Sequence, residues 1–364
     1  MPVCIIRKLL SDGGKMNENT AQMKTDGEAE LQPEFPFVPG IEYAGKLVAA
    51  IGRRRRRAVE KLLAGGRVPP VPEALYAYRI GNAFRDAELF RLLVSRGLDL
   101  SRTFGGYSAL HLCLPDGLER ASWTLPPEAM ELIFEKVPPN VRDPYGRTPL
   151  FCAAVRLFGD HPADAALELI RRGADVNAAD YAGNTPLHVC LSAKLMKALT
   201  EHGADIEARN RFGNTPLLTQ CCRNSQLLKT LLDSGARVDV TNRNGRGPCH
   251  TWAYFNMRWP SDDAADCLAQ LLAKGCPINA ADRAGETPLH CIVRETARLV
   301  NSPAFHAGYF DDDSIVGNGR RLYREACRRG ADPALRSRKG ETPAGLWERL
   351  TGTGWEETTR SVAE

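Results

Sequence analysis

The sequence predicts an all-α solenoid, with about eight helix–turn–helix units stacked in one row and a C-terminal cap behind them. Two observations carry that expectation. A Gly-x-Thr-Pro-Leu block returns at Gly146–Leu150, Gly183–Leu187, Gly213–Leu217 and Gly285–Leu289, with weaker copies at Tyr107–His111, Gly247–His250 and Gly340–Pro343. A second block, Gly-Ala-Asp or close to it, follows at Gly173–Asn177, Gly203–Glu207, Gly235–Asp239, Gly275–Asn279 and Gly330–Asp332. A chain of 364 residues would ordinarily divide into about two or three globular domains, whereas a repeat of this kind absorbs the length as one array.

Each block has a mechanical reading. Thr followed by Pro and Leu is a helix start: the hydroxyl can accept an orphan backbone N–H, and Pro at the first helical position loses no useful donor. The glycine two residues earlier, as at Gly183 or Gly213, suits a tight turn with positive φ. Small residues of the first helix (Ala153, Ala154, Cys190) allow close approach, and the second helix holds the pairs Leu62-Leu63, Leu92-Leu93, Leu231-Leu232 and Leu271-Leu272. That helix stops at a glycine such as Gly173 or Gly203, where a left-handed cap closes the last carbonyls.

Taken in order, a divergent first unit pairs Leu47–Ala50 with Ala58–Gly65, and a second covers Glu73–Gly97. Further units start near Phe104, Asp143, Asp180, Asn210, Asn242 and Asp282, and Gly340–Pro343 with Leu346 and Trp347 opens the cap. The expected organisation is a disordered polar tail over 1–35, an array over 36–350 with its best-matching part at 143–300, an insertion at 301–319, a last unit and cap at 320–350, and a tail at 351–364.

These blocks resemble the ankyrin repeat, with its period of about 33 residues and its T-P-L-H-x-A signature. The resemblance implies hairpin-like loops between units, a concave surface lined by hairpin tips and the exposed sides of the first helices, and a protein partner rather than a substrate. Asn177 and Asn279 match the loop position that asparaginyl hydroxylases modify in similar repeats; the same side chain also closes turns.

Composition narrows the function classes. Hydrophobic content of 43% and charged content of 25% are those of a soluble folded chain. No apolar run approaches the roughly 20 residues of a membrane helix, the N-terminus reads as a poor signal peptide, and no lipidation box is present, so no membrane association is expected. A net charge of +4 is too slight to argue for nucleic acid. The eleven cysteines read as reduced thiols of a cytoplasmic protein, possible nuclear entry aside, and a monomer is expected. No P-loop and no G-x-S-x-G elbow is present, so neither catalysis nor a cofactor is expected.

The remaining candidates divide by chemistry. His111 with Cys113, His188 with Cys190, Cys249 with His250 and His290 with Cys291 could suggest metal ligands, but they recur once per repeat without a C-x₂-C pair and read as packing. Arg53–Arg57 reads either as a solvated helix start, with Ala58, Leu62 and Leu63 on the buried face, or as an import signal of a nuclear regulator of a transcription factor. The expected partner surface is the row of turn tips: Tyr145, Arg147, Tyr181, Asn184, Arg211, Phe212, Arg243, Arg246 and Arg283. It is basic and aromatic, and suits a partner protein with acidic and apolar groups. The unit near Asn242 adds Trp252, Tyr254, Phe255 and Trp259, expected to form a binding knob with Phe305, Tyr309 and Phe310 beside Asp311–Asp313.

Overall fold

The computed structural model describes residues 49–51, 56–64, 86–103, 106–114, 127–156, 163–220, 224–302, 312–352 and 354, all within one compact unit, Tyr43–Glu364. Among these residues every regular element is a helix. The first two are α1 (Arg56–Leu63) and α2 (Ala87–Ser95), the second helices of the two divergent units. Six helix pairs follow: α3 (Ala109–Leu112) with α4 (Pro127–Lys136), α5 (Pro149–Arg156) with α6 (Ala163–Arg171), and α7 (Pro186–Val189) with α8 (Ala193–Glu201). Then come α9 (Pro216–Gln220) with α10 (Ser225–Asp233), α11 (Pro248–Arg258) with α12 (Ala264–Ala273), and α13 (Pro288–Val300) with α14 (Asp312–Arg328), before the capping α15 (Pro343–Thr351). The first helix expected of the second divergent unit lies outside the described residues.

A single apolar cluster runs from Ala50 to Ala331, because no helix pair buries its own face. Leu63, Leu93, Leu231 and Leu271 of the paired leucines are fully buried, and Leu62, Leu92 and Leu272 flank the core. On α1 the buried face is Val59 and Leu63, with Ala58 half-exposed rather than central. A second cluster of Val293, Ala297, Leu346 and Trp347 seals α15 onto α13 and ends the stack. Residues 312–319 of the expected insertion are the opening turns of α14, and Gly319 there lets α14 lie close against α13: a Cβ would stand 2.5 Å from Thr296 Oγ1.

The helix starts follow two patterns. Thr148, Thr215 and Thr342 accept an N–H from Phe151, Leu218 and Gly345 at 3.2, 3.4 and 3.2 Å, as a capping hydroxyl should. Where His stands at the third helical position, the hydroxyl is 2.9 Å from its Nδ1, as in Thr185 with His188 and Thr287 with His290. The backbone N–H of the same Thr also donates to that Nδ1, at 3.1 and 3.2 Å. Here the imidazole accepts the N–H of the capping residue itself, as the third-position side chain of a capping box does.

The turn glycines serve the stacking as well as the turn. At Gly285, φ is +74°, and a Cβ would fall 2.6 Å from the backbone nitrogen of Arg338 in the next turn. Gly173 has φ +83° with nothing within 4 Å of the same position. Gly173→Ala therefore bears only the left-handed strain, on the order of 1 kcal/mol. Gly285→Ala adds displacement of the neighbouring turn and is expected to cost at least about twice as much. Urea unfolding of the two variants checks this; equal midpoints would remove the close contact from the account.

Candidate recognition surface

Six five-residue turns join successive units, beginning at Asp143, Asp180, Asn210, Asn242, Asp282 and Ser337. In the first five, a side-chain oxygen of the opening residue accepts two backbone N–H groups, those of the third and fifth residues. Asp143 Oδ1 takes Tyr145 and Arg147, both at 2.9 Å, and Asn210 Oδ1 takes Phe212 and Asn214 at 2.9 and 3.0 Å. The second residue of each of the five later turns then donates its N–H to the preceding tip. Tyr181 donates to the carbonyl of Tyr145, Arg211 to Ala182, Arg243 to Phe212, Arg283 to Asn244 and Arg338 to Ala284, at 3.1, 2.9, 3.0, 2.9 and 3.0 Å. The tips thus form one continuous ladder, and the side chain at each second position projects from a fixed rung.

Those second positions read Pro144, Tyr181, Arg211, Arg243, Arg283 and Arg338, and the third positions include Tyr145, Phe212 and Lys339. Tyr145, Tyr181 and Phe212 are 60%, 59% and 65% exposed, the largest values among the exposed apolar side chains. Arg211, Arg243, Arg283 and Arg338 are exposed and make no ion pair with another described residue. Consecutive units stand about one helix diameter apart, so the four guanidinium groups repeat at intervals of about 10 Å. The ladder is aromatic at its N-terminal end and basic at its C-terminal end.

Three of the expected contact residues are engaged within the array instead. Arg147 pairs with the buried Asp143 at 2.7 Å and lies 4.7 Å over the Tyr145 ring. Burial opposes ionisation of Asp143, and the hydrogen bonds from Arg147 and Tyr145 outweigh it, holding the carboxyl below its usual range. Arg246 reaches forward to Asp282 at 3.1 Å, across the unit boundary. Asn184 is bonded to Asp180 and accepts from Asn210 Nδ2 at 2.8 Å. Glu286, the last residue of the Asp282 turn, is buried and pairs with Arg294.

The expected knob divides. Trp252 belongs to the core: it is fully buried and its Nε1–H donates to the carbonyl of Ala264 at 2.8 Å. Tyr254 and Phe255 are half-buried, and Trp259, 45% exposed, stacks on Phe255 with centroids 5.7 Å apart. Phe305, Tyr309, Phe310 and Asp311 lie outside the described residues, as do Arg53–Arg55 of the arginine cluster. Arg56 pairs with Glu60 at 3.4 Å and with Glu88 of the next unit, both half-exposed contacts of small energetic worth.

The histidines join units, which sequence reasoning missed. His111, His188, His250 and His290 present Nε2 to the carbonyls of Arg147, Asn214, Glu286 and Glu341 in the next turn, at 3.1, 3.0, 2.9 and 2.9 Å. With Nδ1 accepting the backbone N–H of the helix start, Nε2 must carry the proton, so each ring is a neutral inter-unit strut. Recurrence of His at that register was the available signal. Asn177 and Asn279 act alike, each donating to the next unit's glycine carbonyl, Gly203 or Gly330, and accepting from Asp205 or Asp332.

Among the described residues one triplet has metal-ligand composition: His111, Asp143 and Cys152, whose candidate donor atoms lie within 4.8 Å of one another. Both histidine nitrogens face protein partners, and Asp143 Oδ2 accepts from Arg147 Nε at 2.7 Å. A cation there would have to displace the Arg147 ion pair and the turn's own N–H bonds, so the triplet reads as a packed polar junction.

Stacked helix pairs, five-residue turns and histidine struts define a helical repeat solenoid. Residues 118–210 and 154–242 match the family model for ankyrin repeats (3 copies), and this part of the chain is built of ankyrin repeats. No curated relative matches it. Ankyrin repeats generally mediate protein–protein interaction and are typically non-catalytic. No described helix is long and apolar enough to cross a membrane.

Proposed function

We propose that this chain binds another protein along the tip ladder, as a scaffold without catalysis of its own. The observation that carries the reading is the pairing of three exposed aromatic rings with four arginines that no described carboxylate neutralises, all on rungs fixed by backbone hydrogen bonds. Exposed aromatic and arginine side chains on a rigid frame lose little entropy on binding, and these residue types dominate interface energetics. The partner's chemistry follows from the order of the rungs. An apolar or aromatic segment would meet Tyr145, Tyr181 and Phe212, and an acidic segment would meet Arg211, Arg243, Arg283 and Arg338.

Affinity capture with the full chain tests this, run beside a Tyr181→Ser, Arg211→Ala, Phe212→Ser chain. The altered chain is expected to keep its Tm, because the three side chains are exposed, and to lose its captured proteins by more than about tenfold. Capture of the same set in the same amounts would remove the ladder from the recognition surface.

A further inference from the structure

We propose that Cys249 and Cys276 form a redox-modification site, a thiol pair that a peroxide converts to a reversible disulfide within the α11–α12 unit. Their Sγ atoms lie 3.3 Å apart, and both side chains are buried. Bond formation at about 2 Å needs a further approach of little more than 1 Å.

The sequence register supports the pairing independently of the contact. Cys249 holds the position that is Leu150, Leu187, Leu217 and Leu289 in the other Pro-starting units. Cys276 holds the position that is Ala174, Ala204, Ala236 and Ala331 after the second helix. Each unit buries both positions, and only this one carries cysteine at both among the described units. The two departures from the repeat pattern therefore meet each other in space. A leucine lost for packing alone would not require the alanine to change with it.

The described cysteines differ in reactivity. Burial pushes the thiols of Cys190 and Cys291 up to about 12 and raises that of Cys327, so these stay protonated at neutral pH. The hydrogen bond from Cys249 lowers that of Cys276, against the opposing effect of burial. Cys276 also sits in the loop just past α12, between Gly275 and the exposed Pro277, so local opening of that loop admits a small oxidant. The Cys276 thiolate attacks one oxygen of hydrogen peroxide, breaking the O–O bond and forming a sulfenic acid, with the released hydroxide protonated to water. Cys249 sulfur then attacks the Cys276 sulfur; the S–O bond breaks, and hydroxide leaves and takes up the Cys249 proton as a second water. Peroxide gains the two electrons that the two thiols lose. A small thiol such as dithiothreitol reverses the bond by exchange.

The test exposes the purified full chain to hydrogen peroxide, blocks remaining thiols in denaturant, and maps peptides without reduction. The expected result is a Cys249–Cys276 cross-linked peptide that dithiothreitol removes, with a Tm several degrees above that of the reduced chain. A Cys249→Leu, Cys276→Ala chain restores the pair used by the other units; it should fold and show no peroxide-dependent rise in Tm. Cys249 and Cys276 remaining fully alkylatable, or oxidising separately without a cross-link, would overturn the proposal. So would the same Tm rise in the double variant.

Discussion

Trp252→Ala is expected to lower the stability of the array by about 3–5 kcal/mol. The indole is fully buried, and it heads the largest buried side chains. Truncation removes its contacts and leaves a cavity between α11 and α12 that the surrounding helices fill only in part. It also strips the Ala264 carbonyl of the Nε1–H donor at 2.8 Å. In a stack held by nearest-neighbour contacts the loss is local in origin and global in effect, because this unit carries the array past α12 to the C-terminal cap. Equilibrium urea unfolding followed by circular dichroism checks it. A cost below about 1 kcal/mol would place the indole outside the core. Trp259→Ala, at a half-exposed ring stacked on Phe255, is the contrasting case and should cost far less.

Stability is expected to fall by about 3 kcal/mol from His250 alone as pH drops from 7 towards 4. Burial pulls this imidazole down to about 4 from its ordinary 6.5; Asp282 opposes that shift, and Arg246 and His290 add to it. In the unfolded chain the ring titrates near its ordinary value. Between the two values the unfolded state holds a proton that the folded state refuses, so stability rises with pH across that window. It is fully present above about pH 7 and lost as pH falls through the folded value. His188 is lowered in the same direction, again chiefly by burial, and adds to the slope. Protonation would also place a proton on Nδ1, which accepts the Gly247 backbone N–H at 3.3 Å, and so break the start of α11. Urea midpoints measured from pH 7.5 to 4.5 report the slope. A His250→Gln chain should be weaker at pH 7.5 and show a shallower fall; an unchanged slope would sever it from the histidine.

Much of this was legible in the sequence because the repeat imposes a local rule at each register. Thr-Pro at a helix start and glycine after a second helix act within about four residues, and the expected units follow from them. The tips were legible for the same reason: Tyr145, Tyr181, Phe212 and the arginines fall at fixed offsets from a turn glycine. What escaped depends on contacts some 12 to 51 residues apart. Arg246 looks like a free tip cation until Asp282 of the next unit is seen beside it, and Arg142 likewise reaches the Ala179 carbonyl. Trp252 in a short run of aromatics reads as surplus, since counting rings cannot show which one turns inward. The histidine struts and the facing cysteines need both the stacking distance and the side-chain direction, which a single unit does not contain.

The measurement that bears most directly on the ladder as a recognition edge separable from the core uses Arg211, Arg243, Arg283 and Arg338 replaced together by Gln. Tm and the dissociation constant for the captured partner are determined in parallel, across a range of salt. Because the four side chains are exposed and make no ion pair with another described residue, Tm should stay within a few degrees of the parent. Binding should weaken by more than about tenfold and lose most of its salt dependence. Undiminished affinity with the original salt dependence would contradict the account, and so would a chain that unfolds.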